Sequence, residues 1–144
     1  MRPWLETRLI LPFVPFLLDL LARVLLLRSK LGWWEIPDLK TLSITSAFFC
    51  FLIALDVEEV ERIPSDAEYY SPASVMRRRF SVYGIGTAVI FGLAAAVDAA
   101  ERSLSISSLS SSLYPALIVT TTTILVIAII EAIIANYRYQ FKYG

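Results

Sequence analysis

The sequence contains no histidine and a single cysteine, Cys50. Without histidine the chain cannot supply a His-ligated zinc ion, a bis-histidine haem site or a histidine general base. A lone cysteine cannot form an intramolecular disulfide or a cysteine cluster. Cys50 stands in the apolar run AFFCFLIAL, where we interpret it as a small apolar side chain inside a membrane span. We therefore predict no metal site and no cofactor.

Catalytic motifs are missing as well. The sequence has no G-x-S-x-G, no Walker loop and no metal-ligand spacing. The tetrapeptide YGIG at positions 83–86 follows no strand and lacks the third glycine of a dinucleotide fingerprint. We predict that the protein is not an enzyme.

Charge is scarce and balanced. Thirteen basic and thirteen acidic residues give a formal net charge of zero, and 18% of the chain is charged, against about 25% in soluble domains. A neutral chain has no bulk attraction for nucleic acid, so we predict no such partner. In contrast, 57% of the residues are hydrophobic and the mean hydropathy is +0.65. These residues cluster into four blocks, which is typical of membrane spans.

The four predicted spans cover residues 9–27, 39–56, 80–100 and 115–136. The first is too long for a cleaved signal peptide and is interrupted by Asp19 and Arg23. The connections between the spans are too short to form a soluble domain. The sequence therefore predicts an all-α fold, an integral membrane four-helix bundle that forms one domain over residues 1–144.

Basic residues indicate the orientation. With the N-terminus inside, the inner side holds most of the lysines and arginines, led by the run Arg77, Arg78 and Arg79. The positive-inside rule then places both termini in the cytoplasm, and a bacterial protein of this kind in the inner membrane. Two further interpretations of the arginine run stay open, namely binding of anionic lipid headgroups and docking of an acidic partner.

Small residues recur at every fourth position along the third span. They are Gly84, Ala88, Gly92, Ala96 and Ala100. Small-xxx-small spacing lets two membrane helices approach closely, so this ridge predicts a helix-packing surface. Its partner is either another span of the chain or the same span of a second copy. Because four residues overshoot one helical turn by about 40°, the partner must cross at an angle.

Two acids in the spans have an arginine four residues later in the same helix. The pairs are Asp19 with Arg23 and Asp98 with Arg102. This spacing brings the two side chains of each pair to one helical face, so we predict that each pair neutralises itself. The alternative is a proton or ion pathway, because ionisable groups inside a membrane often mark one.

Glu131 has no basic residue within a turn on either side. An unpaired carboxylate inside a membrane must protonate or find a cation elsewhere. We predict a partner from another helix or subunit, with Arg8 and residues 77–79 as the candidates. A transport or sensing role for Glu131 is the alternative.

Three functions are compatible with these features. The first is a non-enzymatic subunit that anchors or scaffolds a larger membrane assembly. It would act as a homo-oligomer in membrane lipid, with residues 56–79 available to a cytoplasmic protein partner. The second is a pore-forming or membrane-perturbing effector, such as a holin-like protein or a microbial defence component. The third is a small ion- or proton-coupled transporter that uses Glu131 or Asp19.

Overall fold

The protein was analysed as a computed structural model, which describes residues 5–27, 38–61, 72–104 and 109–139. All secondary structure in these ranges is helical, which confirms the predicted all-α class. A π-helical turn, Leu5–Ile10, leads directly into the first α-helix. The α-helices are α1 (Leu11–Leu27), α2 (Leu39–Glu61), α3 (Pro72–Leu104) and α4 (Leu109–Tyr139).

Three of these helices are long and apolar enough to cross a membrane. Their candidate spans are Leu39–Glu59 in α2, Ala73–Leu104 in α3 and Ser110–Tyr137 in α4. Helix α1 has 17 residues, about 26 Å at a rise of 1.5 Å per residue, which is shorter than a hydrocarbon core of about 30 Å. The described helices thus fit a membrane protein with three spans, and the four-helix bundle stays a prediction.

Helices α3 and α4 begin earlier than the spans predicted at 80–100 and 115–136, whereas α2 begins at residue 39 as predicted. Asp38 precedes α2 and caps it, because its carboxylate accepts the Thr41 amide at 2.9 Å and the Thr41 hydroxyl at 2.7 Å. Helix α4 begins at Leu109, inside the serine-rich stretch. There the Glu101 carboxylate of α3 accepts the Ser110 amide at 2.6 Å. Both acids satisfy amides that a helix N-terminus would otherwise leave unpaired.

Helix α2 is the centre of the fold. It has its most extensive contact with α3 and also contacts α4, α1 and the π-helical turn. In α2, 61% of the candidate span is buried, against 28% in α3 and in α4. The main core joins Phe49 and Ile53 of α2 to Phe80 of α3 and to small residues of α4. These small residues are Ala128, Ala132 and Ala135, and their size allows α4 to approach closely.

The buried face of α3 repeats every seven residues. The repeat is marked by Ala73, Phe80, Thr87 and Ala94, and Ile90 and Gly84 are buried between them. A seven-residue repeat is typical of left-handed helix pairs that cross at about 20°. The predicted ridge repeats every four residues instead, so it drifts away from this face along the helix. Gly84 is buried, whereas Gly92 and Ala96 are exposed.

Helix α1 lies along one side of α2. The rings of Phe13 and Phe49 pack with their centroids 5.6 Å apart. Ion pairs join the two helices on either side of this contact, as described below. Contact of α1 with α3 and α4 is minor in the part of the chain that the structure describes. The outer face of α1 exposes a row of leucines, Leu17, Leu18, Leu21, Leu25 and Leu26.

Candidate functional site

Three helices meet at an ionic cluster near the start of α2. The Lys40 ammonium of α2 donates to one carboxylate oxygen of Asp98 in α3, and the Tyr114 hydroxyl of α4 donates to the other. The Tyr114 hydroxyl also lies 3.2 Å from the Ala94 carbonyl oxygen. We call this group the Lys40–Asp98–Tyr114 cluster. It connects α2, α3 and α4 through a single carboxylate.

The cluster replaces the predicted pairing of Asp98 with Arg102. Asp98 points toward α2 and α4, where Lys40 and Tyr114 bind it directly. Arg102 is exposed near the end of α3. Spacing of four residues permits a pair within one helix. Here two donors from neighbouring helices satisfy the carboxylate instead, because Asp98 continues the buried face of α3.

The other predicted pair within one helix is present. Arg23 Nε donates to Asp19 at 2.9 Å. The same guanidinium reaches Asp38, the cap of α2, with 3.3 Å between Nη2 and Oδ1. Arg23 therefore pairs with one acid of its own helix and also ties α1 to the beginning of α2.

A second group of charges lies at the opposite end of α2 and α3. Arg79 Nη1 of α3 lies 3.3 Å from Glu131 Oε1 of α4. Arg79 is thus the partner from another helix that Glu131 was predicted to have. Tyr83 lies near both groups and interacts electrostatically with them. The second oxygen, Glu131 Oε2, is buried and lies within 3.5 Å of no hydrogen-bond donor among the described residues.

Arg8, the other candidate partner for Glu131, pairs elsewhere. Its Nη2 lies 2.8 Å from Asp56 Oδ1 in α2, and the Asp56 side chain is only 7% exposed. The sequence indicated no partner for Asp56, which ends the span predicted at 39–56. The one signal available was an acid that directly ends an apolar run.

The three arginines of the predicted topology signal have different surroundings. All of them are exposed. Arg79 pairs with Glu131, and the Arg77 carbonyl accepts the Ser81 hydroxyl at 3.0 Å. Arg78 makes no hydrogen bond or ion pair with any residue that the structure describes.

The ridge residues also divide into two sets. A Cβ atom added to Gly84 would lie 3.0 Å from ring atoms of Phe51, so this position is in tight contact with α2. A Cβ atom at Gly92 would meet nothing within 4 Å. Ala88 and Ala100 are half-buried and Ala96 is exposed. Gly84 therefore packs against another helix of the same chain. Packing of the outward positions around Gly92 against a second copy stays a prediction.

The sequence matches no protein-family model, no curated protein and no solved structure.

Hydroxyl groups in the helices bond mainly to their own backbone. Ser46 donates to the Leu42 carbonyl at 2.7 Å, and Thr87 donates to the Tyr83 carbonyl at 3.0 Å. Thr120 and Thr123 donate to carbonyls four residues earlier at 2.8 Å each. Such bonds satisfy a hydroxyl without a ligand. No group of three or more His, Cys, Asp or Glu side chains suited to a metal ion occurs in the described ranges.

Proposed function

We propose that the protein is a non-enzymatic membrane subunit that anchors or scaffolds a larger assembly. The observation that carries this proposal is the way the charges inside the helices are used. Lys40 with Asp98, Arg79 with Glu131 and Arg8 with Asp56 each join two different helices. The two charges of each pair neutralise one another, and the pair fixes the position of one helix against the other, so these pairs support a structural role.

The arrangement of α1 supports four spans rather than three. Arg8 pairs with Asp56 near the end of α2, and Arg23 reaches Asp38 at its start. Helix α1 and its π-helical turn therefore accompany α2 along its apolar length. A short span is tolerated when the bilayer thins locally or when flanking residues reach the interface. We propose that α1 crosses the membrane beside α2 and completes a four-helix unit.

The free surface of the unit supports assembly with further copies. Helices α3 and α4 each bury only 28% of their candidate spans. Gly92 and Ala96 lie on the exposed part of α3, where small residues allow a second helix to approach closely. We propose that this surface forms a homo-oligomer. A cytoplasmic partner would bind residues 56–79, of which residues 62–71 lie outside the described ranges.

A small ion- or proton-coupled transporter is the second candidate, because Glu131 Oε2 is buried and meets no hydrogen-bond donor among the residues that the structure describes. A pore-forming effector has less support in a single copy. The space between α2, α3 and α4 is filled by large buried side chains such as Phe49, Ile53 and Phe80. A pore would therefore need several copies around a shared path.

Two measurements on the full-length chain test the proposal. The mass of the protein in lipid nanodiscs reports its oligomeric state, and a scaffold subunit should give a mass above that of one chain. Liposomes that contain the protein should retain an encapsulated dye and should show no flux driven by a pH gradient. Dye leakage would favour the pore, and gradient-driven flux would favour the transporter.

A further inference from the structure

The outward face of α3 is apolar and contains one arginine. Large exposed side chains recur along it at Val75, Val82, Ile85 and Val89. Arg78 falls between the first two, three residues after Val75 and four before Val82. This spacing places all of them on one helical face. Arg78 therefore projects from the surface that meets lipid when α3 crosses a membrane.

The surroundings of Arg78 differ from those of Arg79 among the residues that the structure describes. Arg79, one residue later, reaches across to Glu131 on α4. Arg78 makes no ion pair or hydrogen bond with the residues that the structure describes. A guanidinium beside hydrocarbon remains charged, so it requires an anion or water at the membrane surface.

The position of Arg78 along α3 places its guanidinium near the lipid phosphates, which are anions of this kind. Arg78 lies near the start of the candidate span Ala73–Leu104 and one residue from the Arg79–Glu131 pair. At this end of a span the lipid phosphates replace the hydrocarbon tails. A guanidinium presents two parallel N–H groups that match two phosphate oxygens, whereas an ammonium group acts as a point charge.

We propose that Arg78 binds the headgroup phosphate of an anionic phospholipid in the leaflet at this end of α3. This inference rests on the membrane placement of the proposed function and requires that α3 stays open to lipid around Arg78. Gly92, in the proposed contact between copies, lies on the same face fourteen residues further along α3, about 21 Å away at 1.5 Å per residue. Zwitterionic lipids carry a cation next to the phosphate, which offsets the attraction. Anionic lipids lack that compensation, so Arg78 selects for them.

The test measures lipid binding by the detergent-solubilised full chain. Phosphatidylglycerol and phosphatidylcholine are titrated separately, and bound lipid is counted by native mass spectrometry. Arg78→Gln should weaken phosphatidylglycerol binding about fivefold, since one basic residue near an anionic surface contributes about 1 kcal/mol. Binding of phosphatidylcholine should not change. Arg78→Lys should retain part of the preference for phosphatidylglycerol, because it keeps the positive charge and loses the two parallel N–H groups of the guanidinium.

Two control variants separate the site from general charge. Arg102→Gln removes an exposed arginine from the other end of α3 and should keep the affinity for phosphatidylglycerol. The double variant Arg79→Gln/Glu131→Gln removes the adjacent ion pair without changing net charge, and it should also keep that affinity. An equal loss in either control, or unchanged binding in Arg78→Gln, would overturn the proposal.

Inorganic phosphate distinguishes the source of the anion. Millimolar phosphate should compete poorly with phosphatidylglycerol, because only the lipid is held beside the apolar face. Full competition by phosphate would identify a free anion as the ligand and would contradict the lipid site. A separate experiment treats membranes with alkaline carbonate. Release of the protein would show that it is not an integral membrane protein, and this would contradict the proposed function rather than the lipid site alone.

Discussion

Lys40 and Asp98 stand 58 positions apart in the chain and form a direct ion pair between α2 and α3. Tyr114 of α4 binds the other oxygen of the same carboxylate. The side chain of Asp98 thus hydrogen-bonds to side chains of two other helices at once. Its removal affects all three helices together.

Asp98→Ala should destabilise the folded protein by about 1–3 kcal/mol, because Lys40 and Tyr114 each lose an acceptor. Partial exposure of both Lys40 and Asp98 keeps the loss below that of a fully buried pair. Unfolding of the purified protein in mixed detergent micelles measures the change. Arg102→Ala removes an exposed side chain from the same helix and should change stability by at most about 0.5 kcal/mol. Equal losses in the two variants would contradict the role of the cluster.

Gly84→Leu should destabilise the single chain, since even a Cβ atom there lies 3.0 Å from the Phe51 ring. Overpacking of this kind costs about 1–3 kcal/mol. Gly92→Leu meets open space within the chain and should leave the stability of the single chain unchanged. In nanodiscs Gly92→Leu should instead lower the yield of oligomer. Leu93→Ile is the matched control, and an oligomer yield as low as that of Gly92→Leu would contradict the predicted surface.

Glu131→Gln should leave gradient-driven flux and oligomeric mass unchanged if the Arg79–Glu131 pair is structural. The cost in stability should stay below about 1 kcal/mol, because Arg79 is 58% exposed and water screens the pair. Uptake into liposomes and unfolding in detergent are the two measurements. Loss of a flux that the wild type shows would support the transporter. The exchange variant Arg79→Glu/Glu131→Arg should restore any lost stability.

The topology can be measured by cysteine labelling without replacing Cys50 first. Cys50 is the only cysteine and is fully buried, so it should not react in the folded protein. A membrane-impermeant maleimide should leave the native protein unlabelled in intact cells. Gly144→Cys adds a reporter at the C-terminus, and it should react only after the membrane is made permeable if that terminus is cytoplasmic. Labelling of intact cells by this variant would reverse the predicted orientation. Wild-type protein labelled only after unfolding is the control.

Local spacing correctly predicted one of the two ion pairs expected within a single helix. The Asp19–Arg23 pair follows from a separation of four residues, and it is present at 2.9 Å. For Glu131 the sequence predicted a cation on the same side of the membrane, with Arg8 and residues 77–79 as candidates, because an unpaired acid requires a cation nearby. The choice among several arginines depended on which one faces α4.

Contacts that depend on helix rotation were not predictable in this way. Asp98 binds Lys40 because it lies one turn after the buried Ala94, on the side of α3 that faces α2. The four-residue ridge does not indicate which side of α3 that is. The drift of this ridge around the helix separates Gly84 from Gly92. Asp38 was missed as a cap because a cap lies just outside the apolar run, where hydropathy carries no signal.

Three ion pairs between the described helices share one order along the chain. In each of them the basic residue precedes the acid, as Arg8 precedes Asp56, Lys40 precedes Asp98 and Arg79 precedes Glu131. During synthesis the helix with the basic residue therefore enters the membrane first, and the long basic side chain can keep its charge at the membrane interface. When the helix with the acid inserts later, the cation that pairs with this acid is already present. An isolated acid near the centre of an inserting helix costs about 2.5–3.5 kcal/mol. The exchange Lys40→Asp/Asp98→Lys keeps the pair and reverses the order, so we expect slower insertion of α2 in a glycosylation-mapping assay. Insertion at the wild-type rate would show that the order of synthesis is irrelevant to this chain.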